Sequence, residues 1–241
     1  MKKLLLSLAL AATAHAATLQ DAKDAYLAGR HDEAVAIWRA LAEQGDGKAQ
    51  YNLGLALKDG NRDEARQWLE KSAAQGVAPA QLELGEMLLY GKDGLVNHAS
   101  PAMQAQDSPP PEDRARGIAL ITQAAEQGLA EAQYRLALNH AGGIGVEKNL
   151  DQSRAWLEKA AAQLHADAQY QLGLYYLQEE RQCDKALSWL TSAHLLGDWA
   201  AAGEISRLHQ RGLCVEKDAA KASEWEAKAL RQQEKALGKK E

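Results

Sequence analysis

The chain of 241 residues contains no phenylalanine, and tryptophan and tyrosine together bring aromatic content to only 5%. A bulky aromatic core is therefore excluded, and the abundant alanine points to helices packed closely through small side chains. A basic footprint for phosphate backbones is also missing, since the formal charge is −5. Nucleic acid is accordingly not expected as a partner. The one lysine-rich stretch, "EKALGKKE" at the C-terminus, interleaves Lys235, Lys239 and Lys240 with glutamates and reads as a solvated helix end. Beyond the first residues there is no long apolar run, so no membrane insertion of the mature chain is expected.

The common signatures of catalysis are absent too. The sequence holds no Ser-x-x-Lys, Gly-x-Ser-x-Gly, His-Glu-x-x-His or Cys-x-x-Cys. "GGIGV" at Gly142 lacks the further glycine and the preceding strand of a phosphate loop. Asp59, Asn61, Asp63 and Glu70 fall at calcium-loop positions, but Glu64 stands where the sharp bend needs glycine. His140, His165, His194 and His209 lie in separate segments without ligand spacing. No enzyme activity, cofactor or metal is expected.

What is present begins with "MKKLLLSLALAATAHA". Lys2 and Lys3, an apolar run from Leu4, and small residues at Ala14 and Ala16 predict a signal peptide over 1–16, cleaved after Ala16. Its apolar run is about half of the roughly 20 residues a membrane-spanning helix needs. No cysteine follows the cleavage site to accept a lipid. The mature protein is expected to be soluble, periplasmic or secreted, and monomeric.

Repetition is the strongest signal. "AQYNLG" begins at Ala49, "AQLELG" at Ala80, "AQYRLA" at Ala132, "AQYQLG" at Ala168, and a worn copy, "AAGEIS", at Ala201. A second mark, Ile37, Trp68, Leu120, Trp156, Trp189 and Trp225, lies eight residues before Gly45, Gly76, Gly128, Leu164, Gly197 and Gln233. Together they define six modules, approximately 19–48, 49–79, 80–131, 132–167, 168–200 and 201–233, with a C-terminal tail at 235–241. Ala49, Leu53 and Leu57 follow a helical period, as do Ala65, Trp68, Leu69, Ser72 and Ala73, so each module reads as a helix pair. Gly60, Gly91, Gly143 and Gly212 are placed to end the first helices in left-handed turns, and Gly45, Gly76, Gly128 and Gly197 to end the second. One helix pair cannot bury its own apolar stripe, which predicts an all-α fold: a right-handed α/α solenoid of about six stacked pairs.

These residues resemble the Sel-1-like repeats, relatives of the tetratricopeptide repeats. The resemblance is carried by "AQYQLG" at Ala168, "GGIGVEKNLDQSRAWLEKAAAQ" from Gly142 and "ARQWLEKSAAQG" from Ala65. It covers nearly the whole mature chain and implies a non-catalytic scaffold for a protein or peptide partner, in the bacterial envelope or at a host interface. An alternative comes from cysteine-rich exported relatives, whose resemblance implies binding of cell-wall compounds or weak β-lactam hydrolysis. Those relatives carry a cysteine pair in nearly every module, and this chain has two cysteines in all.

Three features remain. Cys183 precedes the second helix of module five, and Cys214 lies in the inter-helix turn of module six, on the same edge of a stacked array. In an exported chain such a pair predicts a disulfide, the alternative being two thiols that never meet. Cys214 also aligns with Gly145 of "GGIGVEKNL"; if that glycine has positive φ, the cysteine carries a strain of about 1 kcal/mol that a bridge outweighs. Module three carries an insertion at 95–112 with Pro109, Pro110 and Pro111, read as a surface loop or a polyproline contact site. Finally, if the first helices line the concave side, Tyr51, Leu82, Tyr134 and Tyr170, with Leu55, Leu138 and Leu174 one turn later, form a stripe for an extended peptide or partner helix. Packing between modules accounts for the same residues equally well.

Overall fold

The computed structural model describes residues 17–91, 109–178 and 181–238. The expected signal peptide, most of the insertion at 95–112, and the last three residues of the tail lie outside the described residues. The described residues form twelve helices and no strand. In chain order they pair as α1 (Leu19–Leu27) with α2 (His31–Glu43), α3 (Gly47–Leu57) with α4 (Arg62–Ala74), and α5 (Ala78–Tyr90) with α6 (Pro111–Glu126). There follow α7 (Ala130–Gly142) with α8 (Leu150–Ala162), α9 (Ala166–Gln178) with α10 (Cys183–Leu195), and α11 (Trp199–Arg211) with α12 (Ala219–Ala236). The chain divides into two compact units, one ending at Ala80 and the other beginning at Gln81.

Short polar side chains start six of these helices. Thr18 opens α1 with a capping box, accepting from the Asp21 amide while Asp21 accepts from the Thr18 amide. Asp46, Asn61, Asn149, Asp198 and Asp218 each accept one orphan amide at the start of α3, α4, α8, α11 and α12. Gly60 departs from expectation, because it is not among the positive-φ residues. The link from α3 to α4 is so short that the Leu57 carbonyl takes both the Gly60 and Asn61 amides, and no left-handed residue is needed.

Within a pair, the Leu-Gly of the repeated motif is where the helices come closest. A Cβ on Gly54 would lie 2.8 Å from Leu69 Cγ, and one on Gly173 would lie 2.6 Å from Leu190 Cγ. The worn copy in α11 has Ser206 at this position, and its hydroxyl donates to the Ala222 carbonyl at 2.8 Å. Between pairs, a glutamine stitch recurs: Gln50, Gln133 and Gln169 donate to the carbonyls of Ala42, Ala125 and Ala161, each at 3.1 Å. Gln75 and Gln163 in turn donate to Gln50 and Gln133 at 2.8 Å. Leu196 occupies the corresponding place in the fifth pair, which leaves the buried Gln169 Oε1 without a hydrogen-bond partner.

The first unit has a core of Ala22, Ala25, Ala34, Trp38, Ala42, Ala49, Leu53 and Trp68. In the second unit, Ala137, Leu157, Ala160, Ala161, Ala168, Leu172, Tyr176 and Ala186 form one cluster, and Leu190, Ala193, Ala201, Ile205 and Leu208 another. Small residues dominate, as a composition without phenylalanine requires.

The α7–α8 and α11–α12 connections are built alike. The Asn149 amide donates to His140 at 2.9 Å, and the Asp218 amide donates to His209 at 3.0 Å. Gly143 and Gly212 cap the preceding helices with φ of 70° and 69°. Gly145 has φ 71°, and Cys214 keeps the left-handed conformation at φ 62°. Cys183, the first residue of α10, is disulfide-bonded to Cys214 with the Cα atoms 5.0 Å apart.

Candidate partner-binding face

In the second unit, α7 presents Tyr134 and Leu138, and α9 presents Tyr170 and Leu174; all four are half-buried. The Tyr134 ring stacks on His165, with centroids 4.8 Å apart. His165 is fixed from both sides: its Nδ1 accepts from the Ala168 amide at 3.3 Å, capping α9, and its Nε2 meets the Glu131 carboxylate at 2.9 Å. Arg135 completes the cluster, its Nε lying 2.7 Å from Glu131 and 3.2 Å from Glu86. Tyr170 packs against the Leu190, Ala201 and Ile205 cluster. Arg207 interacts with both Tyr170 and Glu204.

The electrostatics follow from burial among carboxylates. Burial pushes the Tyr134 phenol up to about 12, and the neighbouring Asp167 carboxylate adds to the effect. Tyr170 is raised by burial and then by Glu204. Asp198 is raised by burial, against the backbone amides of Ala201 and Ala200 that favour its charge. Glu131 is lowered, first by its hydrogen bond to His165. Both tyrosines therefore remain neutral phenols near neutral pH, offering a hydroxyl and a half-covered ring.

In the first unit, Tyr51 and Leu55 occupy the same positions on α3 and are likewise half-buried. Leu82 on α5 is only 6% exposed. It is shorter than the tyrosines in its column, ends inside the core, and has little area for a partner. The column of Leu55, Leu138 and Leu174 also contains Glu86 and Arg207, so charge is built into a stripe that reads from its leucines as apolar. Carrying the repeat alignment through all modules finds both residues; Glu204 lies three residues before Arg207 on the same helix, whereas the pairing of Glu86 with Arg135 emerges only once the helices are packed.

The remaining candidates are structural in place. Asn61 caps α4, with Asp63 in its first turn, and Glu70 pairs with Arg66 at 3.2 Å. His194 meets Gln232 at 2.8 Å, and His209 meets the Glu216 carbonyl at 3.3 Å. Among the described residues, no group of three or more His, Cys, Asp and Glu is arranged to hold a metal ion. No helix among them is long and apolar enough to cross a membrane.

Helix pairs that repeat one motif and close through glycine and alanine define a helical repeat scaffold. The Sel1 repeat matches residues 47–77, 78–100, 104–129, 130–163, 166–198 and 199–233, and the chain belongs to the Sel1 repeat family. These matches leave α1 and α2 outside and fall twice on the stretch holding α5 and α6. A Rhizobium meliloti protein described as an exopolysaccharide production negative regulator is 34% identical over 70% of this chain and 64% of its own length. The crystal structure of c5321, a protective antigen of uropathogenic Escherichia coli strains displaying an SLR fold, is similar with a TM-score of 0.72 and 27% identity. That likeness covers 88% of this chain and 45% of c5321. A Sel1 repeat protein from Oxalobacter formigenes shares the fold with a TM-score of 0.74 and 23% identity, over 88% of this chain and 82% of its own. This chain therefore spans less than two thirds of the length of the first two.

Proposed function

We propose that this protein is a non-catalytic, exported adaptor that holds a protein or peptide partner on the face of its first helices, in the bacterial envelope or at a host interface. The observation that carries this reading is the pair of half-buried tyrosines, Tyr134 and Tyr170, raised from successive first helices with Leu138 and Leu174 beside them. A rigid aromatic with one polar end gives large contact area at small entropic cost, which suits a recognition surface. The lysine-flanked apolar start of the sequence supports export, and family membership supports a scaffold.

The test is a photo-crosslinking residue at position 138, introduced in the native host. A discrete adduct is expected, lost in the Tyr134→Ala, Tyr170→Ala double variant and retained when the crosslinker's neighbours are unchanged. Adduct formation indifferent to both tyrosines overturns the proposed face.

A further inference from the structure

The carboxylates around the two tyrosines outnumber the cations. Glu86, Glu131, Asp167, Asp198 and Glu204 border Tyr134 and Tyr170, directly or through one ion pair. The guanidiniums among them are Arg135, held between Glu86 and Glu131, and Arg207, paired with Glu204. Five carboxylates set against two guanidiniums leave a formal −3. Asp167 is exposed, has no cation partner among the described residues, and acts on both Tyr134 and Asp198. It lies in the first turn of α9, whose dipole offsets at most about half a charge.

The second helices show what an aromatic does here when a cation is to hand. Lys71 lies 3.9 Å from the Trp68 ring centre, Lys159 lies 3.6 Å from that of Trp156, and Lys228 lies 4.1 Å from that of Trp225. These rings are covered by lysines of their own helix. Among the described residues no cation lies over the Tyr170 ring, whose side chain bonds Arg207, and Arg135 lies over the Tyr134 ring only at the long end of the cation–π range, 6.0 Å from its centre. Tyr175 and Tyr176 of α9 have Arg154 and Lys185 over their rings at 5.7 and 4.9 Å, whereas Tyr134 and Tyr170 combine a loosely covered ring with an uncancelled negative field, a pairing that attracts cations more strongly than either feature alone.

We propose that this face selects a basic, extended segment of a protein partner, with a lysine or arginine lying across Tyr134 and Tyr170 and its charge at Asp167. The proposal rests on the adaptor reading above and names the chemistry of the segment held. An acidic segment meets the same five carboxylates and is repelled, and a purely apolar one leaves Asp167 to be desolvated without a cation to compensate it.

Two short fluorescein-labelled peptides test it, one a Gly-Lys-Leu repeat and the other its Gly-Glu-Leu counterpart, titrated against the full chain by fluorescence polarisation. The basic peptide is expected to bind, weakening as salt is raised, and the acidic one is not. Asp167→Asn should weaken binding about fivefold and Asp167→Arg by about tenfold or more, with unchanged helical circular dichroism. Equal or tighter binding of the acidic peptide overturns the proposal, as does full affinity for the basic peptide in Asp167→Arg. If that variant binds normally while the crosslink at 138 still depends on the tyrosines, the basic segment is refuted and the adaptor stands. If both are indifferent, both fall.

Discussion

The α7–α8 and α11–α12 connections turn the chain by the same hydrogen bonds and differ at their centre, where one has Gly145 and the other Cys214. Both residues are left-handed, with φ of 71° and 62°. At 145 a side chain would require Leu89 to shift, because a Cβ would lie 2.7 Å from Leu89 Cδ1. At 214 the side chain is joined to Cys183 instead. A repeat position that demands glycine on backbone grounds therefore accepts another residue where a covalent bond compensates for the strained conformation.

The largest effect should come from removing that bond. Closing a loop over the 31-residue separation of Cys183 and Cys214 is worth about 3–4 kcal/mol in the chain-entropy model. Cys183→Ala with Cys214→Ala should lose most of that in urea denaturation, and hydrogen exchange should show α11 and α12 loosening first, as the end of a one-dimensional array. Replacing Cys214 by glycine in the same background should recover about 1 kcal/mol, since the left-handed strain then disappears with the bond. Equal stability of the alanine and glycine versions would mean the turn relaxes once the bond is gone, and the comparison of the two loops would lose its basis.

The reciprocal change comes next. Gly145→Ala combines a left-handed β-carbon with overpacking against Leu89, each worth about 1 kcal/mol or more, so a loss of about 2–3 kcal/mol is expected. The measurement is the urea midpoint at unchanged m-value. A loss below about 0.5 kcal/mol would show that Leu89 moves aside freely, and that the steric half of the difference between the loops is not real.

The repeat period, the helix pairs and the polar caps are legible in the sequence because each is set by residues close in the chain. The left-handed backbone at Cys214 is legible because its twin is a glycine. What is hidden depends on packing between modules. Glu86 meets Arg135 across 49 positions, and Leu82 differs in exposure from the tyrosines of its column because it is too short to reach the surface. The orphaned Gln169 Oε1 follows from Leu196 at the far end of the next helix, a substitution whose cost appears only when both side chains are placed. Gly60 shows the opposite failure: the residue matches the pattern, but the shorter link removes the need for its special conformation.

The smallest effect isolates the backbone contribution shared by both loops. Leu164 occupies a turn position where the other second helices end in glycine, and it holds φ 63° while 67% exposed. It has no disulfide to offset the strain and little burial to lose. Leu164→Gly should therefore stabilise the chain, by about 0.5–1 kcal/mol once the greater freedom of glycine in the unfolded state is set against the relieved strain. A differential urea titration against the unmodified chain resolves such a shift. The value measured there is the backbone contribution to be set against the glycine-for-alanine difference at 214. If Leu164→Gly instead destabilises the chain, left-handed residues in these turns carry no net strain, and the tolerance of cysteine at 214 needs no compensating bond.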